Sequence, residues 1–329
     1  MAGMRVRMLL SLIAAAGLVI FQDVGAQQGY PTRPVRIITV TPGGPFDVVM
    51  RGMSGPLSQA LAQPVIIENR TGGNFIPAAE ACARSAPDGH TLCTSDAFAL
   101  SLNPEIFARL PYDPFKDFSP IIHLGFLITS LVVNASVPAQ NLQELIALAR
   151  AKPDALAFAT AGPASSSNLY VEYLRKARGI AFYNVPYKSF PQALAAVIAG
   201  EVQATIFSIG GGLAQARSGK VRVLAVTSTQ RSQFAPELPT LAEIGVDVSI
   251  NTWNGILAPA GTPPEIIARL NAEFRKLLAD RALVEKFLMT QGFELTAPAG
   301  GSPEEFAAFL RADRANFAKV AKVVGVKMD

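Results

Sequence analysis

Apolar runs of strand length alternate with segments of helical period along most of this chain. Strands that alternate with amphipathic helices predict βαβ units and mainly parallel sheets. Ligands of such folds bind where the strands end and the helices begin. The predicted strands are 35–40, 65–68, 92–94, 121–124, 131–134, 156–160, 204–207 and 223–227. The predicted helices are 48–61, 77–84, 142–151, 168–177, 191–199, 263–278, 281–289 and 302–324, and we expect the last three to cover a sheet.

The beginning of the chain has the pattern of a cleaved signal peptide. Arg5 and Arg7 precede an apolar run at 8–20, which is short for a membrane span, and small residues follow at 24–26. We therefore expect cleavage near Ala26 and export of the mature chain. A retained N-terminal anchor is the alternative.

The composition limits the function classes. The chain has 329 residues, a length that suits two domains or one large one, and a formal net charge of +4 at pH 7. Lysine and arginine are spread without a basic block, so nucleic acid is a poor candidate partner. Cys82 and Cys93 are the two cysteines, and an exported compartment permits a disulfide between them. Two buried unpaired thiols are the alternative, and no metal site is indicated.

A glycine turn after the first predicted strand is the first candidate binding loop. Gly43 and Gly44 allow a ligand to approach the main chain closely, and the turn leads into a helix N-terminus, which favours an anion. The alternative is an ordinary strand-to-helix connection in which Asp47 is the N-cap.

A second loop has the same character. It follows strand 156–160, contains Gly162 and three serines (Ser165, Ser166 and Ser167), and leads into a helix at Asn168. A serine-rich N-cap turn would have the same sequence. Together the two loops suggest two lobes that close on one anionic ligand.

Nine short motifs occur in an order that resembles a known family. The chain is similar to the Bug family of periplasmic solute-binding proteins, the TctC-like receptors of tripartite tricarboxylate transporters, over the whole chain that follows the leader. The motifs are YP at 30–31, PGGxxD at 42–47, VIIENR at 65–70, PDGHTL at 87–92, LPYDP at 110–114, VPYK at 185–188, LAVT at 224–227, LPT at 238–240 and LAPAGTP at 257–263.

The resemblance implies an α/β, two-lobed, type II periplasmic-binding-protein fold that closes like a Venus flytrap. The first lobe would contain 27–130 and 228–329, the second 131–227, with crossover strands near 131–134 and 224–227. A small carboxylate would be bound by main-chain N–H groups. The implied ligand-binding residues are Gly43, Gly44 and Asp47, facing Gly162, Ser165, Ser166, Ser167 and Asn168, with Thr94, Ser95, Tyr187, Ser208 and Trp253 in loops that line the cleft.

Two departures from the family pattern bear on the ligand. Pro45 and Phe46 replace a glycine and a threonine that many relatives have, and Phe207-Ser208 replaces an Asp-Asn pair. The two aromatic side chains suggest a partly apolar ligand, such as an aromatic or branched carboxylate. Packing in the core is the alternative for Phe46 and for Phe207.

Catalysis is not indicated by these residues. His90 falls in a predicted turn and His123 in an apolar strand, and no serine has an evident base. We expect a monomeric binding protein without cofactor or metal, which delivers its ligand to the membrane subunits of a transporter. A periplasmic sensor that feeds a signalling receptor is the alternative.

Overall fold

The computed structural model describes residues 29–246, 250 and 252–328. The predicted leader and its cleavage near Ala26 lie outside these residues. Within the described residues, eleven strands form two sheets. They are β1 Val35–Thr39, β2 Val65–Asn69, β3 Thr91–Ser95, β4 Phe118–Leu127, β5 Thr129–Asn134, β6 Ala157–Thr160, β7 Tyr183–Pro186, β8 Ala204–Ser208, β9 Val221–Val226, β10 Thr252–Pro259 and β11 Phe293–Glu294.

Helices flank both sheets. They are α1 Pro45–Leu61, α2 Ile76–Ala83, α3 Asn103–Ile106, α4 Leu142–Ala151, α5 Ser166–Arg178, α6 Phe190–Ala199, α7 Ile209–Ala216, α8 Pro264–Ala279, α9 Arg281–Leu283 and α10 Pro303–Val324. Shorter helical turns are Gly73–Phe75, Phe98–Leu102, Ala242–Ile244, Val284–Leu288 and Met289–Gln291. The predicted helix 281–289 is helical over its whole length, but it is not one regular α-helix, because its pitch changes after Leu283 and again after Leu288.

Both sheets are mixed, not mainly parallel as predicted: two of the five neighbouring strand pairs of the first sheet and two of the four of the second are parallel. The order of the first sheet is β11-β4-β10-β3-β1-β2, with β10 and β11 antiparallel to their neighbours. The order of the second sheet is β7-β6-β8-β5-β9, with β5 antiparallel to both of its neighbours. We call the parts of the chain around these sheets the first and the second lobe. The predicted α/β fold with two sheet-containing lobes is confirmed.

The chain changes lobe close to the predicted positions. Only Ile128 separates β4 from β5, so residues 129 and 130 belong to the second sheet and not to the first lobe as predicted. The return passes Thr227, whose N–H donates to the Thr129 carbonyl at 2.9 Å. The predicted crossovers 131–134 and 224–227 therefore lie mostly within β5 and β9.

Strand direction places the candidate loops at the junction of the lobes. β4 runs parallel to β1 and β3, so its end at Leu127 lies at the edge where those two strands end. β5 is antiparallel to β8, which is parallel to β6, so β5 begins at the edge where β6 and β8 end. Because Ile128 joins these two edges, the loops after β1, β3, β6 and β8 all face the junction.

The cysteines are joined as expected. Cys82 on α2 and Cys93 on β3 form a disulfide, with their Cα atoms 6.0 Å apart. Both residues are buried in the core of the first lobe. The bond therefore attaches α2 to the strand that ends at the junction, beside the candidate site.

Candidate functional site

The first loop, residues 40–44, uses its glycine N–H groups internally. Gly43 has φ +70° and donates its N–H to Asp47 Oδ2 at 2.9 Å, while Gly44 donates to the Thr41 carbonyl at 3.0 Å. The expectation that these two amides are free for a ligand is therefore corrected. The N–H groups of Phe46 and Asp47, at the start of α1, have no acceptor among the described residues.

Asp47 holds the first loop in place. It is the third residue of α1, and Gly44 is the N-cap, so the alternative prediction of Asp47 as N-cap is wrong. Its carboxylate accepts from Gly43, from Arg51 Nε at 2.9 Å and from Asn69 Nδ2 at 2.8 Å. Burial alone would raise the pKa of Asp47, but these hydrogen bonds outweigh it and hold the pKa below its usual value. The carboxylate is therefore ionised and bound by three donors of the protein itself.

The second loop, residues 161–165, precedes α5. Gly162 has φ +96°, and Ser165 is the N-cap of α5, accepting from the Asn168 N–H at 3.2 Å. Ser167 Oγ accepts from the Ala161 N–H at 3.1 Å. The serines thus stabilise the loop, as the alternative prediction of a serine-rich cap states.

The second loop also keeps several free donors. Four N–H groups of this loop and of the first turn of α5 have no acceptor in the described part of the chain, and neither does the hydroxyl of Ser166, a residue only 3% exposed. These N–H groups belong to Gly162, Ala164, Ser166 and Ser167. Such a cluster at a helix N-terminus can bind a carboxylate without a cationic side chain.

Asn184 was not anticipated from the sequence. It lies on β7, accepts from Thr160 Oγ1 at 2.8 Å and donates to Asn168 Oδ1 at 2.6 Å. Asn168 in turn donates to the Pro163 carbonyl at 2.6 Å. This chain of hydrogen bonds joins the end of β6, the second loop and α5. The sequence signal for Asn184 was its polar side chain on the strand that follows the second loop and α5.

Three residues predicted in cleft loops lie on strands of the first sheet. Thr94 and Ser95 end β3, and both are buried; Thr94 donates its hydroxyl to Thr39 at 3.1 Å, whereas Ser95 Oγ has no partner in the described structure. Trp253 lies on β10 and is fully buried, with its indole N–H donating to Asp313 at 2.9 Å. Trp253 is therefore a core residue, because α10 covers its face of the sheet.

The predicted residues of the second lobe lie at its junction edge. Ser208 ends β8 and is the N-cap of α7, but its side chain makes no capping hydrogen bond. Tyr187 follows β7 and donates its N–H to the Thr160 carbonyl at 2.7 Å. Phe207 is partly buried, and its ring lies where a side chain at Gly211 would be. These residues stay candidates for the wall of the cleft.

Phe46 packs inside the first lobe. It is 6% exposed, and its ring centroid lies 5.7 Å from that of Phe75 and 5.9 Å from that of Phe293. Phe75 itself has φ +63° and ends the helical turn Gly73–Phe75 after β2, which the sequence did not indicate. Packing is thus the role that the contacts of Phe46 favour.

Replacing Phe46 by alanine is expected to lower the free energy of unfolding by about 3 kcal/mol, because a buried ring leaves a cavity. Phe46→Leu should cost less than about 1.5 kcal/mol. Urea unfolding followed by circular dichroism measures both values. Phe115→Ala is the surface comparison: this ring is 47% exposed and lies under the Arg314 guanidinium, so its loss should cost about 1 kcal/mol or less. A loss of ligand selectivity without loss of stability in Phe46→Ala would contradict the packing role.

Buried ionisable groups lie next to the end of β3. Asp96 is fully buried, accepts the Ala99 N–H at 3.0 Å and has no partner for Oδ2 in the described structure; burial raises its pKa to about 8. Burial also raises the pKa of Asp313 to about 6. His123 is enclosed by aromatic rings, and burial lowers its pKa to about 3. His123 is therefore a neutral core residue, as its apolar strand predicted.

Residues 49–321 match the family model described as the tripartite tricarboxylate transporter family receptor, TctC. Among curated proteins, the chain is similar to a UPF0065 protein of Bordetella bronchiseptica, with 35% identity over 96% of this chain and 93% of the relative. It is also similar to protein BugT of Bordetella pertussis, with 33% identity over 96% of each chain.

Solved structures of the same kind are similar to this one. The periplasmic binding protein BugD has a TM-score of 0.77 at 27% identity, covering 91% of this chain and 100% of BugD. R. palustris Rpa4515 with adipate has a TM-score of 0.79 at 32% identity, covering 91% and 99%. MatC from Rhodopseudomonas palustris with bound malate has a TM-score of 0.75 at 29% identity, covering 88% and 99%. None of the helices in the described ranges has the length and apolarity of a membrane span.

Proposed function

Because the chain belongs to the TctC family of tripartite tricarboxylate transporter receptors, we propose that it is an exported receptor that binds a small organic carboxylate between its lobes. It would then deliver this ligand to the membrane subunits of such a transporter. Members of this family are periplasmic solute-binding receptors, and two similar structures hold the carboxylates adipate and malate.

The observation that carries the proposal is the cluster of free donors at the start of α5. Four N–H groups and the Ser166 hydroxyl lie there without acceptors from the described chain. A carboxylate has two oxygens with several acceptor positions, so it can take these hydrogen bonds in place of water. The first turn of α5 contains no acid that would repel it.

Closure of the lobes links binding to transport. The second loop and the N-terminus of α1 both face the junction at Ile128, so a ligand held by one can be contacted by the other. A ligand that binds the closed form better shifts the population toward it, and a membrane partner can recognise that form. A sensor that presents the closed form to a signalling receptor is the second candidate, since its partner would contact the same lobe surfaces.

A thermal-shift panel tests the proposal with the chain from Gln27 onward, expressed with its disulfide. The panel contains mono-, di- and tricarboxylates, aromatic acids and amino acids. A ligand at about 100 times its Kd stabilises the folded state by about 2.7 kcal/mol, so a true ligand should raise Tm clearly. A selective rise with one carboxylate class is expected. The proposal is overturned if no carboxylate raises Tm and mass spectrometry of the denatured protein finds no retained carboxylate.

A further inference from the structure

A groove lies on the first lobe, at the edge of its sheet opposite the lobe junction. It has a volume of about 480 Å³ and is lined by the end of α3, the segment 107–116 and Arg314 of α10. β4 begins at Phe118, directly after this segment, and its 10 residues run to the junction. A strand rises about 3.3 Å per residue, so roughly 30 Å separate the groove from the candidate loops. The groove is therefore separate from the ligand cleft.

Phe115 is presented in this groove by a turn whose main chain is fixed. Its ring is 47% exposed. Asp113 Oδ1 accepts the N–H groups of Phe115 at 2.9 Å and of Lys116 at 3.2 Å. Tyr112, directly before the turn, is buried and donates its hydroxyl to the Ala99 carbonyl at 2.7 Å. An exposed ring on such a turn loses little conformational entropy when a partner covers it.

Arg314 covers one face of this ring. Its guanidinium carbon lies 3.7 Å from the centre of the Phe115 ring, and its Nε lies 3.5 Å from a carboxylate oxygen of Glu105. The guanidinium is thus held in position while its side chain stays 33% exposed. Arginine and aromatic side chains are enriched where proteins bind one another, and they carry much of the binding energy there. This pair therefore has the composition of an interface.

Apolar side chains line much of the groove. Pro104, Phe107 and Leu110 are partly buried there. The end of the chain is fixed beside them, because Lys327 Nζ donates to the Glu105 carbonyl at 2.9 Å. A concave apolar lining fits a protruding side chain of a protein segment, whereas a flat lipid surface does not reach into it. The shape therefore favours a protein as the occupant.

The α10 side of the groove is basic. Residues 306–328 carry five cations and one acid. The cations are Arg311, Arg314, Lys319, Lys322 and Lys327. The acid, Asp313, is bound within the protein, where Ser101 and Trp253 donate to its carboxyl group. Arg311 and Lys322 lie within about 80° of Arg314 around the helix, at about 100° per residue, so they share its side.

The segment 107–116 adds two more cations. Arg109 and Lys116 are both exposed. Lys116 is 82% exposed and pairs with Asp113 at 3.2 Å, a surface ion pair weak enough for a partner to displace. Arg109, Arg311 and Lys322 form no ion pair within the described ranges. Unpaired cations around an apolar groove are complementary to acidic side chains around an apolar one.

We propose that this groove is a docking site for an acidic segment of a second protein that carries one large apolar side chain. The apolar side chain enters beside Phe115, and its acidic neighbours meet the cations of the rim. Because the groove lies away from the junction, the partner binds whether or not the cleft holds a ligand. Docking there tethers the receptor and leaves the cleft free.

Two fluorescein-labelled peptides test the site by fluorescence anisotropy with the chain from Gln27 onward. Each has a central residue between two pairs of glutamates, and this residue is tryptophan in one peptide and alanine in the other. The tryptophan peptide should bind at least about tenfold more tightly, since a large apolar side chain gains from burial. Raising the salt from about 0.05 M to about 0.5 M should weaken both peptides, because it screens the rim.

Variants locate the binding. Phe115→Ala and Arg314→Ala should each weaken the tryptophan peptide about tenfold. Lys116→Glu should weaken both peptides by a similar factor, and thermal unfolding shows that each variant is folded. The matched control is Lys286→Glu, because Lys286 also lies over a ring, 5.0 Å from the centre of Phe287, but outside the groove. It has the same change of charge and should keep both affinities within about threefold.

Equal binding of the two peptides would overturn the docking site, and so would equal losses in Lys116→Glu and Lys286→Glu, since the attraction would then be to the charge of the whole chain. Absence of binding by both peptides would also overturn it. Binding only to vesicles of phosphatidylglycerol and phosphatidylcholine would assign the rim to a lipid surface instead. The thermal-shift response to carboxylates should be unchanged in Phe115→Ala, and its loss would contradict the separation of groove and cleft.

Discussion

Gly162→Val is expected to abolish carboxylate binding while leaving the protein folded. Gly162 has φ +96°, and no described atom beyond its chain neighbours lies within 4 Å of where a Cβ would stand. A valine would therefore meet nothing inside the protein, but its methyl groups would fill the space in front of the free N–H groups of the second loop. A loss of more than about 100-fold is expected, since donors that a ligand cannot reach contribute nothing to affinity.

The backbone strain of this change needs its own control. A non-glycine residue at positive φ costs about 1–3 kcal/mol wherever it occurs. Gly179 has φ +62°, has equally open surroundings, and ends α5 at the opposite end from the second loop. Gly179→Val should therefore lose similar stability but keep the Kd of the parent within about threefold.

Calorimetric titration measures the Kd of Gly162→Val and Gly179→Val, and thermal unfolding measures their stability. Loss of binding in Gly162→Val alone supports an anchor at the second loop. Equal binding by the two variants would remove the second loop from the site.

Gly43→Val forms a second pair with Gly219→Val, because these glycines have φ +70° and +72° and open surroundings. A smaller effect at Gly43 is expected, since its N–H is already bound to Asp47.

The alternation of strands and helices was predictable because each of those elements buries its own apolar residues. The predicted helix 142–151 has the bounds of α4, and 65–68 differs from β2 by one residue. β10, the third strand of the first sheet, was missed because Asn254 and Gly255 interrupt its apolar run. Gly255 is required there, since a Cβ would stand 2.3 Å from the Phe306 ring of α10. Only the packed structure shows that reason.

α7 is a second element that the sequence did not predict. Its three consecutive glycines argue against a helix by propensity. Two of them lie where a side chain would collide, Gly211 with the Phe207 ring at 2.4 Å and Gly212 with Ser130 Oγ at 3.0 Å. The helix is thus stabilised by close packing on β5 and β8, which local sequence does not reveal.

The position of the two candidate loops was predictable from the sequence, but their hydrogen bonds were not. Glycines and serines after apolar strands correctly indicated loops at the junction edge of both sheets. Whether a given N–H points to a ligand or to its own helix depends on side chains such as Asp47, which takes the Gly43 N–H. Trp253 became a core residue because Asp313, far along the chain on α10, accepts its indole N–H.

Asp96→Asn is expected to make the stability of the folded protein less dependent on pH. The Asp96 side chain is fully buried, and burial raises its pKa to about 8. An acid whose pKa is higher in the folded than in the unfolded state binds its proton more tightly when folded. Its stabilising effect is complete below the unfolded pKa of about 3.9, declines as the pH rises, and is lost above the folded pKa.

The free energy of unfolding can fall by up to about 1.4 kcal/mol per pH unit between the unfolded and the folded pKa of Asp96. Asp313 acts in the same direction, with a pKa raised to about 6, but Ser101 and Trp253 donate hydrogen bonds to its carboxyl group. The parent should therefore be several kcal/mol less stable at about pH 8.5 than at about pH 5. Asparagine at 96 keeps an acceptor for the Ala99 N–H and cannot ionise.

Urea unfolding at both pH values, without reductant so that the Cys82–Cys93 bond stays intact, measures the difference. Asp96→Asn should recover most of it, and Asp96→Asn with Asp313→Asn nearly all. Asp113→Asn is the control: hydrogen bonds from Phe115 and Lys116 lower the pKa of Asp113, so it is ionised at both pH values and its loss should not flatten the profile. If Asp96→Asn kept the full pH dependence of the parent, Asp96 would not be the protonated group, and the buried end of β3 would already contain a charge at pH 5.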